Sequence, residues 1–401
     1  MTFISKFGAL CLATGFASLF SAAGVEVKWK LDAPIVTYWC GPGHTMPLND
    51  RSAVQVADGG WNVGWASKPE DLDFFWRHGI RANLVIGTPD VDDPVQAKAL
   101  DATIERVRNH PALYGYHLCD EPSTARFPQL GRLVAYLRKK DPGHLAYINL
   151  LPTYANNETL GAKGDTPTAY REYLHQFIEV VKPSLISYDH YTFFKNSDSD
   201  QYFLNLALIR EASLKAGLPF LNIIQACDSP GEGWREPGAN ELRWLTYTSL
   251  AYGANGISHF RYDSGLCKGP DEPNALYWSV SRFNHDFMAI ATELQSLKSI
   301  GAFHCGKLPS GGMALPKDSA FKPEAMPKEI LIGYFGKSSR RPTHIVVVNT
   351  DYKNAISTRI TGSGKMEVFH APTKTWSKCP GGNRIMLELP PGGGRLIRLS
   401  K

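Results

Sequence analysis

Residues 113–123 read LYGYHLCDEPS and place two adjacent carboxylates, Asp120 and Glu121, at the end of an apolar run closed by Pro122. Two acids beside a core are costly unless water or chemistry keeps them there. Side chains alternate along a strand, so one acid is expected to face a site while the other packs or hydrogen-bonds behind it. This predicts Glu121 as a general acid whose pKa is raised by partial burial, with Asp120 orienting it or a neighbour.

Other apolar runs also end in groups that could do chemistry. Their ends carry Trp39; Asn62; His117; Asn149; Tyr188, Asp189 and Tyr191; Gln225; and His259, Arg261 and Tyr262. Aromatic faces, amides, histidines and a few carboxylates suit a sugar: rings cover pyranose C–H faces, amides bond hydroxyls and paired acids move protons at the glycosidic oxygen. Ideal alternation sets His117 opposite Asp120, puts His259 and Arg261 on one face, and separates Asp189 from His190, which argues against a metal held by that pair. No metal or organic cofactor is expected.

The elements that must position these residues follow a pattern. Strand-like runs at 34–40, 61–66, 81–87, 113–119, 145–151, 184–191, 219–226 and 256–262 alternate with segments of helical period. Helices open after acids, as at 90–93, and close at cations, Pro or Gly. Eight βα units in this span predict a (β/α)8 TIM barrel, whose active site lies at the strands' C-terminal ends. No GxGxxG motif follows a strand, against a doubly wound dinucleotide fold. Beyond residue 300, short β-branched runs broken by Gly, Pro, Asn and Asp predict a small C-terminal β-sandwich, with PPGGG at 390–394 as a turn.

The chain has 401 residues, 43% hydrophobic and 20% charged, with formal net charge +5. Its cations are scattered, which does not point to nucleic acid. Residues 1–23 have the layout of a secretory signal peptide, cleaved after Ala22 or Ala23. The organisation expected is therefore signal 1–23, catalytic barrel 24–300 and sandwich 301–401. The expected location is secreted or periplasmic, with no membrane span after signal removal; the sequence leaves oligomeric state open. Six cysteines remain beyond the signal, too few for a disulfide scaffold and without CxxC zinc spacing.

The strand ending GYHLCDEP, the run ELRWLTYTSLAYGANGISHFRY and the terminal LELPPGGGRLIRL resemble barrel glycoside hydrolases of the clan A type, especially relatives of family 42 beta-galactosidases. The resemblance implies an acid/base Glu ending the fourth strand, a nucleophilic Glu ending the seventh and a β-sandwich after the barrel. Glu121 matches the acid/base position, although the usual Asn-Glu pair is Asp-Glu here. Gln225 stands at the nucleophile position, and an amide cannot take that role.

Three alternatives follow. Asp189 is the second carboxylate, acting as base for inversion if it lies roughly 6.5–9.5 Å from Glu121. Otherwise Asp228, Glu232 or Glu236 folds back into the mouth. Or the second carboxylate is absent, and the protein is a secreted carbohydrate-binding pseudoenzyme without hydrolysis. The leading expectation is an exported glycoside hydrolase acting on a polysaccharide or oligosaccharide, with Glu121, Asp189 and Asp120 in catalysis. Trp39, Asn62, His117, Asn149, Tyr188, Tyr191, Gln225, His259, Arg261 and Tyr262 are the expected substrate contacts.

Overall fold

A computed structural model describes residues 28–269, 272–325, 329–338 and 341–400. The signal-like stretch lies outside them. Eight parallel strands form the first sheet: β1 (Ile35–Tyr38), β2 (Val63–Ala66), β3 (Arg81–Val85), β4 (Leu113–Asp120), β5 (Leu145–Leu150), β6 (Ile186–His190), β7 (Phe220–Gln225) and β8 (Gly256–Phe260). Their order is β1-β8-β7-β6-β5-β4-β3-β2, so β1 and β2 are the two ends that must meet to close a barrel.

Asn62 joins those ends. Its backbone N–H donates to Val36 O at 3.0 Å, its Oδ1 accepts from Val36 N–H at 2.8 Å, and its Nδ2 donates to Pro34 O at 2.9 Å. The side chain thus supplies pairing that a continuous ladder would otherwise give. It stands at the base of β2, away from the strand's C-terminal end, so the substrate contact expected of Asn62 is replaced by a structural brace.

Among the described residues, ten α-helices accompany the strands: α1 (Asp50–Asp58), α2 (Asp71–Arg77), α3 (Pro94–Val107), α4 (Phe127–Lys140), α5 (Asn157–Leu160), α6 (Thr166–Gln176), α7 (Tyr202–Ala216), α8 (Ala239–Tyr252), α9 (Tyr262–Gly265) and α10 (Ala275–Leu294). Local chemistry sets their ends. Asp93 caps α3 by accepting from Val95 and Gln96 N–H, with Pro94 at the first helical position. Arg138, Lys139 and Lys140 crowd the C-terminal turn of α4, where cations oppose the helix dipole. Among the described residues, no helix is long and apolar enough to cross a membrane.

The chain then changes to antiparallel pairing, with strands β9 (Lys298–Gly306), β10 (Met313–Ala314), β11 (Phe321–Pro323), β12 (Glu329–Gly336), β13 (His344–Asn349), β14 (Ile356–Gly362), β15 (Met366–His370), β16 (Thr375–Lys378), β17 (Arg384–Leu389) and β18 (Gly394–Leu399). A seven-stranded sheet, β10-β9-β12-β13-β18-β15-β16, faces a three-stranded one, β11-β14-β17. Barrel plus β-sandwich is therefore the architecture.

Period two explains why β12 and β13 read as continuous apolar runs. Ile330, Ile332, Ile345 and Val347 fill the sandwich core, while Leu331, Val346 and Val348 join the barrel's core. Both faces are buried. At Gly333 a Cβ would lie 2.2 Å from Ala251 O, so only glycine lets β12 lie this close to α8. No disulfide joins the described cysteines.

Candidate active site

The C-terminal ends of β4, β5 and β6 bring three carboxyls together around one amide. Asn149 Nδ2 donates to Asp120 Oδ1 at 3.0 Å and to Asp189 Oδ1 at 2.8 Å. The amide's orientation is fixed from behind, because its Oδ1 accepts from Ser187 Oγ at 2.9 Å and Ser187 Oγ lies 3.1 Å from Tyr147 OH. Tyr147 and Asn149, like Ser187 and Asp189, stand two residues apart on their strands, so each pair shares the inward face.

Asp189 is buried, and its Oδ2 meets no N–H or O–H donor. The Glu121 and Asp189 carboxyls act on one another as hydrogen-bonding partners, and each shifts the other's titration. Two carboxyls in such contact must hold a proton between them. Burial, then the charge of Asp120, pushes Glu121 up to about 7; burial, then the charge of Glu121, raises Asp189 well above the carboxylate range. Asp120 keeps solvent contact, yet desolvation raises it too, against the Asn149 hydrogen bond that lowers it.

Glu121 itself adopts φ +43°, a left-handed conformation that disfavours a side chain with a Cβ. Its N–H is tied to Asn149 O at 2.9 Å. Backbone strain of this kind collects at functional sites.

His117 sits beneath the carboxyls. Its ring packs edge-on to Trp39 at 5.4 Å and Trp65 at 4.9 Å, with Tyr147 at 5.7 Å. Neither ring nitrogen has a hydrogen-bond partner, and burial pushes the imidazole down to about 3, so it is neutral. Strict alternation would have barred His117 and Asp120 from sharing a face. A register shift between His117 and Cys119 resolves this: the bulge turns both inward. Trp39 and His117 thus form the floor.

Tyr191 stands at the rim, its ring 4.3 Å from Trp234 and 5.0 Å from Phe260. Trp234, in the loop after β7, carried no signal in the sequence. Tyr154 adds a half-exposed ring beside them, its OH accepting from Tyr191 N–H at 3.3 Å. Arg261 reaches the rim near Cys40 and Cys227, but Asp263 takes its fork at 2.9 and 3.0 Å.

Four expected contacts lie elsewhere or do other work. Gln225 Oε1 accepts from Thr192 N–H at 3.0 Å and Phe193 N–H at 2.8 Å, and its Nε2 donates to the carbonyls of Phe193, Cys227 and Arg235. It splices two loops, a task needing donor and acceptor together that glutamate could not perform. His259 takes Trp61 Nε1–H at 3.3 Å, and Trp61 in turn packs at a tilt against Tyr277 of α10, ring centroids 5.5 Å apart, so His259 is part of the wall outside the barrel. Tyr262 is buried with Tyr38 and Trp61 and accepts from Gln55 Nε2 at 2.9 Å. Tyr188 is fully buried on the face opposite Asp189. His190, also opposite Asp189, meets Asn205 of α7 at 3.1 Å.

Hydrogen-bonding partnership between the Glu121 and Asp189 carboxyls implies a closer approach than the roughly 6.5–9.5 Å that inversion through Asp189 would use. Asp228, Glu232 and Glu236 are exposed in the loop after β7. Among the described residues, no three His, Cys, Asp or Glu side chains are grouped to hold a metal.

No protein-family model matches the chain, and no curated protein matches it. Among solved structures it is similar to alpha-galactosidase I from Mortierella vinacea, with TM-score 0.50 and 10% identity, covering 92% of this chain and 98% of that one. It is also similar to a candidate alpha-galactosidase from Bacteroides fragilis, with TM-score 0.51 and 8% identity, covering 92% and 80%. At these identities the likeness establishes the fold, one these glycoside-hydrolase structures share.

Proposed function

We propose that the chain is an exported glycoside hydrolase that cleaves a polysaccharide or oligosaccharide by carboxylate acid/base catalysis. The observation that carries this reading is Glu121: a carboxyl at the barrel mouth beside Asp120 and Asp189, whose burial pushes its pKa up to about 7, so that a large share of it carries a proton near neutrality. Such an acid can give its proton to a glycosidic oxygen at the pH where the leaving group needs it. As the glycosidic bond breaks, the proton of Glu121 passes to the leaving oxygen; Asp189 keeps its own proton and donates a hydrogen bond to the carboxylate left behind, while Asp120, fixed by Asn149, faces the positive charge that develops at the anomeric carbon and takes the proton of the attacking water. Trp39 and Tyr191 supply the aromatic surfaces for the sugar ring. Kinship with family 42 beta-galactosidases rests on the acid ending β4 and the sandwich after the barrel, and export rests on residues 1–23.

One observation favours a second reading. Carboxyls in hydrogen-bond contact are nearer than the roughly 5–5.5 Å of retaining or 6.5–9.5 Å of inverting pairs. A sugar-binding protein without hydrolysis would tolerate that.

The deciding experiment is NMR-monitored turnover of a panel of oligosaccharides and polysaccharides by the chain and its Glu121→Gln variant. Cleavage by the former and a loss of about a hundredfold or more in the latter supports the hydrolase. Equal cleavage by both removes Glu121 from the acid role. Binding without cleavage establishes the second reading. Export is checked by N-terminal sequencing of protein from outside the cytoplasm, expected to begin at Ala23 or Gly24; a chain retained inside with Met1 intact overturns it.

A further inference from the structure

At the opposite end of the barrel, α7 buries Arg210, which is 9% exposed. Its Nε donates to Ser299 Oγ at 3.0 Å and its Nη2 to Ser299 O at 3.2 Å. Nη1 has no acceptor among the described residues, and no carboxylate there pairs with the guanidinium. A buried cation without a counter-charge is a costly arrangement unless something supplies one.

Beside Arg210 lies a cavity of about 370 Å³, bounded by the bases of β7 and β8, the end of α10 and the first residues of β9. Its size falls in the range of small-molecule sites, about 300–1,000 Å³. No Asp or Glu lines it; Lys298 adds a second cation, and Leu250, Leu294, Leu297 and Phe335 form apolar wall. Asn255, whose Oδ1 accepts from Phe220 N–H at 3.2 Å, has an amide NH2 without an acceptor among the described residues. Donors without acceptors at one end and hydrocarbon at the other describe the complement of an amphipathic anion. A fully hydrated inorganic anion would leave the apolar wall unused.

We propose that this cavity binds a carboxylate on a short apolar tail, its charge paired with Arg210 and its tail laid on the leucines and Phe335. The site is remote from the barrel mouth and does not depend on the reaction proposed there. Ser299 and Phe335 belong to the β-domain and Arg210 to the barrel, so the ligand would bridge the two.

The test is calorimetric titration of the full chain with octanoate, 1-octanol and inorganic phosphate, repeated on Arg210→Met. Octanoate is expected to bind, with 1-octanol, phosphate and the Arg210→Met complex each weaker by about tenfold or more. Phosphate or 1-octanol binding as tightly as octanoate, an unchanged affinity in the variant, or no octanoate binding at millimolar concentration overturns the proposal. Should Arg210→Met not fold, hydrogen exchange on the unaltered chain decides: octanoate is expected to protect residues 210–220 and 291–299, and protection absent there or found only elsewhere overturns the site.

Discussion

The two sides of the barrel mouth carry similar residue types and put them to opposite use. Along β4 to β6, Asp120 and Asp189 share one amide donor, and Glu121 and Asp189 share one proton. At the end of β7 and just after β8, the polar groups at the mouth are taken up internally: Gln225 bonds five backbone groups and Arg261 is matched by Asp263, while His259 and Tyr262 turn into the wall. The side whose groups remain in conflict is the one that suits the proposed acid, because side chains already committed to backbone partners have little left to give a substrate.

Substitution on each side should break this contrast differently. On the reactive side, Glu121→Gln is expected to cut turnover by about a hundredfold, or roughly 2.7 kcal/mol, while circular dichroism shows the fold retained. On the satisfied side, Gln225→Glu sets a carboxylate against three carbonyls and is expected to cost about 2 kcal/mol of stability in urea unfolding. An unchanged midpoint would mean the loops do not depend on that side chain. Asn149→Ala is expected to lower turnover by about tenfold and move the acid limb of the pH–rate profile upward, since the donor that favours both ionised carboxylates is gone. A loss of turnover with an unmoved profile would reduce Asn149 to packing.

The smallest effect concerns stability. Glu121 rises from its ordinary 4.5 to about 7 on folding, so over that window the folded chain holds a proton that the unfolded chain releases. Unfolding free energy should therefore fall as pH rises from about 4.5 to 7 and level off above, by about 1 kcal/mol after solvent screening at the open mouth. The Glu121→Gln variant should lack this contribution; parallel declines in the two proteins would argue against the shared proton.

The barrel was legible because buried parallel strands must be apolar and each is followed by a helix whose caps are written locally, as at Asp93 and the Arg138–Lys140 cations. Glu121, Asp189 and Asn149 were legible for the same reason, since strand ends define the mouth. What escaped depended on geometry that alternation does not encode. The bulge at His117–Cys119 changed which side chains share a face, and Asn62 and Gln225 were claimed by backbone groups distant in sequence. Ser187 and Tyr147 carried a usable signal, standing two residues before a site residue on the same strand face. Trp234 did not, because its place depends on how a long loop returns to the rim.

The left-handed backbone at Glu121 has a consequence for how the sequence drifts under selection. Glycine relieves that conformation and also removes one member of the crowded carboxyl group, so selection for heat resistance alone would favour glycine at position 121. A lineage that keeps glutamate there, generation after generation, must be under a second pressure that only the carboxyl answers. Comparing the residues tolerated at 121 in populations selected for survival of heating with those selected for growth on a glycan would separate the two pressures.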